Sequence, residues 1–357
     1  MKVLHLVDGA EPECIGGVER HVGLLCSALK EQQVAGSRDL GLEPRTHRFL
    51  DLIRSREECH SFLETHPEAL LHVHQILPWG LSALIRQAAF RPVVLTLHDW
   101  FFVCQRVHLR NVWGQRCEGP SLTKCSFCTG SFLKFLSHMP LHAARRSAFQ
   151  TFLSLVKAII LPNPDLIQAL PENLRSKSLV LDYAVPEETE DLDHFDPEGP
   201  VVCLGSMGLH KGLEWLAEKW REIRIPLHFY GPGTEEIREE SVKGFGSIAS
   251  LKELQGCRAL IVPSDWRETG PLVLLEALAL KIPVFVRKSS VTPARLKPGV
   301  RSFQGRELVE LMEQAIPAMR QEILLHPLQK QKRFEAMLQG HARLYEELKR
   351  QNPSSMG

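Results

Sequence analysis

Short β-branched runs alternate with helical patterns along the chain, the signature of parallel sheets covered by helices. In the first half these runs predict strands at residues 3–7, 72–76, 93–97, 158–161 and 179–181. Apolar residues at Val18, Val22, Leu25 and Leu29 recur at a helical spacing and predict a helix over 18–30. A second series predicts strands at 201–205, 227–230, 259–262 and 284–286. Between the two series, residues 182–200 break the pattern with Pro186, Pro197, Pro200 and a cluster of acids, and read as an exposed linker. The last part, 328–350, is a charged helical pattern that keeps Phe334, Met337, Leu344, Tyr345 and Leu348 apolar.

The expected organisation is an α/β protein of two doubly wound, Rossmann-like domains: residues 1–185, an acidic linker over 186–200, and a second domain over 201–327. A closing helix within 328–357 is expected to pack back towards the first domain. Ligands of such sheets sit at the carboxyl ends of the strands. A chain of 357 residues is long enough for two cores. The net charge of +1 argues against a nucleic-acid binder held by a general basic surface. The apolar run at 1–7 is too short for a signal peptide, and no stretch approaches the roughly 18 apolar residues of a membrane span. A cytoplasmic protein with its nine cysteines reduced is the expectation.

The most informative stretch runs from Arg267 to Leu278 and holds Glu268 and Glu276, eight residues apart. Pro271 suits the first position of a helix, and the residues after it are almost wholly apolar. A helix greasy on every side is a buried one, so Glu276 falls where an unpaired charge is costly. Two readings are open. Either Glu276 is paired with a core cation, or both acids face a hydroxyl-rich ligand beside a helix N-terminus that favours phosphate.

The loop Gly205-Ser206-Met207-Gly208-Leu209-His210-Lys211-Gly212 follows the first strand of the second series. Small residues there let the backbone approach an anion, with Lys211 as the cation, or else form a plain turn. It lacks the Walker spacing, and the first half lacks G-x-G-x-x-G after its opening strand, which counts against a nicotinamide dehydrogenase. Four pieces stand in order: Gly205 to Gly212, Tyr230-Gly231-Pro232-Gly233, Val262-Pro263-Ser264, and Glu268 with Glu276.

In this order and spacing they resemble the retaining glycosyltransferases of family 4, which have the GT-B fold of two Rossmann-like domains facing a central cleft. The resemblance reaches back to Gly16-Gly17-Val18-Glu19-Arg20. It implies transfer of a sugar from a nucleoside-diphosphate-sugar donor to a glycan or lipid-linked acceptor, with no metal in the chemistry; the near-neutral charge, as above, argues against a nucleic-acid partner. It implies that Glu276 holds the ribose, Glu268 contacts the donor sugar and Lys211 neutralises the departing diphosphate. Gly16, Gly17, Gly205 and Gly231 then belong to the donor site, and His98 lies over the donor sugar. Taken without the family, His98 follows an apolar run and is equally read as a core or loop histidine, with Asp99 either orienting it or capping the next segment.

Two positions depart from the family. Ser206 stands where many members have an arginine that shares the diphosphate, which leaves Lys211 with helix termini and Arg267. Pro271 stands where many have glycine; proline cannot donate, so Gly270 and Leu272 remain as backbone donors. A non-catalytic homologue acting as a binding or scaffold protein would bind nucleotide weakly and turn over no donor. A nucleotide-sugar epimerase or hydrolase would consume donor without an acceptor.

Two features lie outside the resemblance. Cys104, Cys117, Cys125 and Cys128 include one C-x-x-C and are either ordinary buried thiols or the ligands of a structural zinc. Residues 119–164 hold no Asp or Glu, while Lys124, Lys134, Arg145, Arg146 and Lys157 are interleaved with Phe and Leu. The segment 131–158 either makes a peripheral contact with an anionic membrane or forms helices whose basic faces meet solvent.

Overall fold

The computed structural model describes residues 2–9, 16–40, 57–76, 78–104, 107–111, 113–115, 117, 119, 121–128, 132–185, 193, 195–205, 209–221, 223–248, 251–290, 297–305 and 307–351, with backbone alone at 122, 126–127, 132–138 and 251–252. It divides into two compact units, Met1–Tyr183 with Glu335–Gly357, and Ala184–Phe334.

The first unit is a six-stranded parallel sheet of β1 (Val3–Val7), β2 (Gln32–Gly36), β3 (Leu70–Val73), β4 (Val93–Thr96), β5 (Ala158–Leu161) and β6 (Ser178–Val180). Its order is β2-β1-β3-β4-β5-β6. The helices are α1 (Gly17–Ala28), α2 (Glu57–Glu64), α3 (Leu81–Phe90), α4 (Leu122–Phe127), α5 (Phe132–Leu155) and α6 (Glu172–Arg175). Central strands β1, β3, β4 and β5 are buried at every position, because helices cover both faces of a parallel sheet. One core cluster joins Val3, Leu70, Val94 and Ile160 to Tyr345 and Leu348 from the far end of the chain.

The second unit repeats the plan with β7 (Val201–Leu204), β8 (Leu227–Tyr230), β9 (Val242–Gly244), β10 (Ala259–Val262), β11 (Val284–Arg287) and β12 (Val300–Phe303). The order is β12-β11-β10-β7-β8-β9, all parallel. Its helices are α7 (Leu213–Trp220), α8 (Leu272–Ala279) and α9 (Leu308–Leu325); α10 (Lys330–Gln351) starts here and ends in the first unit. The core is built from Val201, Leu216, Trp220, Phe229, Ile261, Phe285, Phe303 and Met319. The buried Trp220 indole donates Nε1–H to Ile225 O at 2.7 Å, so its polar atom stays satisfied.

From β7 the sheet grows one way through β8 and β9 and the other way through β10, β11 and β12. The reversal lies between β7 and β10. In open α/β sheets the crevice at the carboxyl ends of the two strands flanking such a reversal is where ligands bind. The expected α/β class and doubly wound sheets are what the structure has. Three strands were not expected, β2, β9 and β12, and all three are sheet edges. Pro271 is the N-cap of α8 rather than its first residue, and the helix opens at Leu272. Among the described residues no helix is long and apolar enough to cross a membrane.

Candidate functional site

In the second unit two glycines draw together the loops at the carboxyl ends of β7, β8 and β10. Gly231, after β8, has φ +137°, and a Cβ there would stand 2.2 Å from the Gly205 carbonyl oxygen after β7. Gly212 has φ +73°, and its Cβ would stand 2.3 Å from the Pro263 carbonyl oxygen after β10. Both contacts are backbone on backbone, so no side chain can rotate away, and only glycine fits. Thr234 fastens the loop from below: its Oγ1 donates to Gly231 O at 2.9 Å and accepts from Gly246 N at 3.0 Å.

On this frame Lys211 and Glu268 meet. Lys211 Nζ donates to Glu268 Oε1 at 3.0 Å. The same oxygen accepts Ser264 Oγ–H and Trp266 Nε1–H, each at 2.7 Å. Glu268 is 8% exposed, and its own N–H donates to Ser290 O at 2.8 Å. Burial pushes its carboxyl up. The Lys211 ammonium and the hydrogen bonds from Ser264, Lys211 and Trp266 outweigh that, and the net direction is down, so Glu268 stays charged. All three donors converge on Oε1, and no hydrogen bond to Oε2 is seen among the described residues. Lys211 is 27% exposed and lies 5.2 Å from the centre of the Trp266 ring. One face of its ammonium is tied down and the rest can meet an anion.

Glu276 lies one turn into α8 and is 2% exposed, while Gly270 and Leu272 flank the Pro271 N-cap at the helix start. Ser206, named above with Gly205 and Lys211, lies outside the described residues, as do Met207 and Gly208. The residues that sequence reasoning missed are Trp266 and Ser264 as donors. Ser264 sits in a segment it had singled out and Trp266 just before another, but nothing in a sequence says which indole or hydroxyl will turn inward.

In the first unit Gly16 and Gly17 open α1. Gly16 N–H donates to Glu19 Oε2 at 3.1 Å, and Gln75 Nε2 donates to Glu19 Oε1 at 3.1 Å. Burial raises the Glu19 carboxyl, against these hydrogen bonds. His98 is 8% exposed with both ring nitrogens engaged, Nε2 with His74 Nδ1 at 2.8 Å and Nδ1 with the Tyr183 hydroxyl. Asp99 Oδ1 accepts Phe101 N–H at 2.7 Å, so of its two expected roles the cap is the one seen. Burial raises its carboxyl to about 6, offset in part by Phe101 N–H and Arg145.

Residues 132–155 are one helix, α5, with Pro140 inside it. Arg145 does not face outward: it is 7% exposed, donates to Phe101 O, and stacks on Phe101 and Phe149 at 5.0 and 4.8 Å. Phe149, Phe152 and Leu153 are buried in the core. Cys104, Cys117, Cys125 and Cys128 are half-buried and form no disulfide among the described residues. Burial raises the Cys125 thiol, and nearby Cys104 and Cys117 add to that. Among the described residues the group of His, Cys, Asp or Glu side chains whose ligand atoms gather within 4.8 Å is His5, His72 and His74, not the cysteines.

Residues 199–321 match the family described as Glycosyl transferases group 1. That segment contains Gly205, Lys211, Gly231, Glu268, Gly270, Leu272 and Glu276, and it supports a glycosyltransferase. Among the curated proteins nothing matches. Solved structures similar to the chain include HepE from Anabaena in complex with UDP and glucose, at 16% identity and TM-score 0.64, covering 97% of this chain and 99% of that one. A sucrose-phosphate synthase from Thermosynechococcus elongatus is 14% identical with TM-score 0.59, covering 98% and 99%. A glycosyltransferase from Rickettsia africae is 13% identical with TM-score 0.59, covering 97% and 98%. At these identities the likeness is one of fold, and that fold is GT-B.

Proposed function

We propose that this protein is a retaining glycosyltransferase that moves a sugar from a nucleoside-diphosphate-sugar donor to a glycan or lipid-linked acceptor. The observation that carries the reading is the Lys211–Glu268 pair, set where the second sheet reverses and inside the segment matched to group 1 glycosyl transferases. Departure of a nucleoside diphosphate leaves negative charge on phosphate and an oxocarbenium-like sugar, so the chief demand is a fixed cation at the leaving group. Lys211 is assigned that role. Glu268, kept charged, is assigned a sugar hydroxyl through Oε2, and buried Glu276 the ribose. His98, Gly16 and Gly17 are assigned to the same reaction, and the first unit to the acceptor. The similar HepE structures hold UDP, UDP and glucose, or UDP-glucose, which is in keeping with a donor of this class.

A thermal-shift screen against UDP, GDP, ADP and TDP sugars tests the donor, since a ligand that binds only the folded state raises the melting point. One base is expected to stabilise, and proton NMR of the product is expected to show the donor's anomeric configuration retained. No shift with any donor, together with no sugar released or transferred, would overturn the reading. A structural zinc on the four cysteines is proposed separately, and metal analysis before and after their replacement by serine tests it.

A further inference from the structure

The first unit buries a group of imidazoles on which the reading above makes no call. His5 of β1 is in register with His72 of β3, and His74 follows two residues later, so strand alternation puts all three on one face of the sheet. They are 0%, 0% and 3% exposed. Ring centres are 4.0 Å apart for His72 and His74, 5.1 Å for His5 and His72, and 5.2 Å for His5 and His74. Two more buried rings approach, His21 of α1 at 6.2 Å from His74 and His341 of α10 at 5.9 Å from His72. His21 Nδ1 and His341 Nε2 are buried with no hydrogen-bond partner among the described residues. Two orphaned nitrogens beside a close-set trio are what a site for an additional group presents.

Zinc, nickel, copper and cobalt ions favour imidazole nitrogen. Two nitrogens on one tetrahedral ion stand about 3.3 Å apart. His5 Nδ1 and His74 Nε2 are 2.9 Å apart, now joined by a hydrogen bond. The other partners of the trio are Gln32, Tyr345, Thr96 and His98, none of them a carboxylate that would favour magnesium or calcium. Burial lowers all three rings, which keeps them in the neutral form that ligates.

We propose that His5, His72 and His74, whose ligand atoms lie within 4.8 Å of one another, bind one divalent first-row transition-metal ion. The proton balance is fixed by the chain's own hydrogen bonds. Gln32 Nε2 donates to Lys30 O, so Gln32 Oε1 accepts from His5 Nε2–H, and His5 Nδ1 carries a lone pair. His74 Nε2–H then donates to His5 Nδ1, His98 Nε2–H to His74 Nδ1, and the Tyr183 hydroxyl to His98 Nδ1. An ion between His5 Nδ1 and His74 Nε2 takes the place of the bridging proton. His74 and His98 each move their single proton from Nε2 to Nδ1, and no net proton is released along the chain Tyr183–His98–His74. The inference meets the glycosyl-transfer reading only at His98, whose tautomer the ion would change; metal uptake is read without turnover, so either can fail alone.

The test uses the full chain with Cys104, Cys117, Cys125 and Cys128 changed to serine, stripped with EDTA and titrated with Co2+. One ion per chain is expected, with the visible absorption of a tetrahedral nitrogen site and displacement by Zn2+. In ¹⁵N spectra the Nε2 of His74 and His98 should lose their protons on binding. His72→Phe should weaken the affinity roughly tenfold or more. A folded four-serine protein that takes up neither ion overturns the proposal, as does uptake that leaves the His74 and His98 tautomers unchanged. If the four-serine protein does not fold, X-ray absorption on the zinc-loaded parent decides: nitrogen ligands besides any sulfur support the site, and sulfur alone overturns it.

Discussion

Lys211 and Glu268 hold one another at a fixed distance, and each constrains what the other can do. Changing Lys211 to Ala removes the cation while Ser264 and Trp266 still hold Glu268. Turnover is expected to fall by about 10²–10³, with a smaller loss of nucleotide affinity, read from kcat against the dissociation constant. Changing Glu276 to Ala is expected to weaken nucleotide binding with little loss of stability, read by titration and by thermal melt. Glu268 also gives a signed pH effect. Its folded-state pKa lies below the unfolded value, so it stabilises the fold above about pH 4.5 and that contribution is lost as pH falls further. Glu268→Gln should melt lower than the parent near neutrality and lose less as pH drops below about 4.5. Parallel acid profiles for the two proteins would show that Glu268 carries no such linkage.

Among the elements, the glycine contacts separate sharply from ordinary glycines. Gly231→Ala and Gly212→Ala each push a methyl group into a carbonyl oxygen at a positive φ, and each should cost about 1–3 kcal/mol or more. Gly23 in α1 has nothing within 4 Å of its would-be Cβ, and Gly23→Ala should stabilise by about 0.5–1 kcal/mol. Urea denaturation of the three variants measures the contrast. The same distinction governs what was legible beforehand. β1, β5, β8 and β10 read correctly to the residue because these inner strands are mostly apolar, a single histidine being the one break in β1 and in β8. β2 escaped because an edge strand is half solvated, and Gln32, Gln33 and Val34 are not buried. β9 and β12 are short edges carrying Lys243 and Arg301. At the site, Lys211 and Glu268 stood out as charges in a glycine-bearing loop and before a greasy helix. The histidine group did not, because alternation along one strand is visible in sequence while the register that sets His5 against His72 is not.

For the molecule as a whole, the first sheet is completed by residues from both ends of the chain. Tyr345 packs with Leu70 and Val94, and its hydroxyl is 2.7 Å from His72 Nδ1. Deleting residues 335–357 should expose the amides of β1, β3 and β4 to hydrogen exchange while β10 and β11 keep their protection. Equal protection across both sheets would show that α10 is dispensable to the first.

That arrangement sets a timetable. A ribosome releases the residues of the second sheet before it releases Tyr345 and Leu348, although β1 left the exit tunnel long before. The lobe begun first is therefore finished last, and its half-built apolar face must wait through the synthesis of roughly 150 further residues at about 5–20 per second. During that interval a chaperone, or an early pairing with the later strands, would compete for the surface that α10 is made to cover.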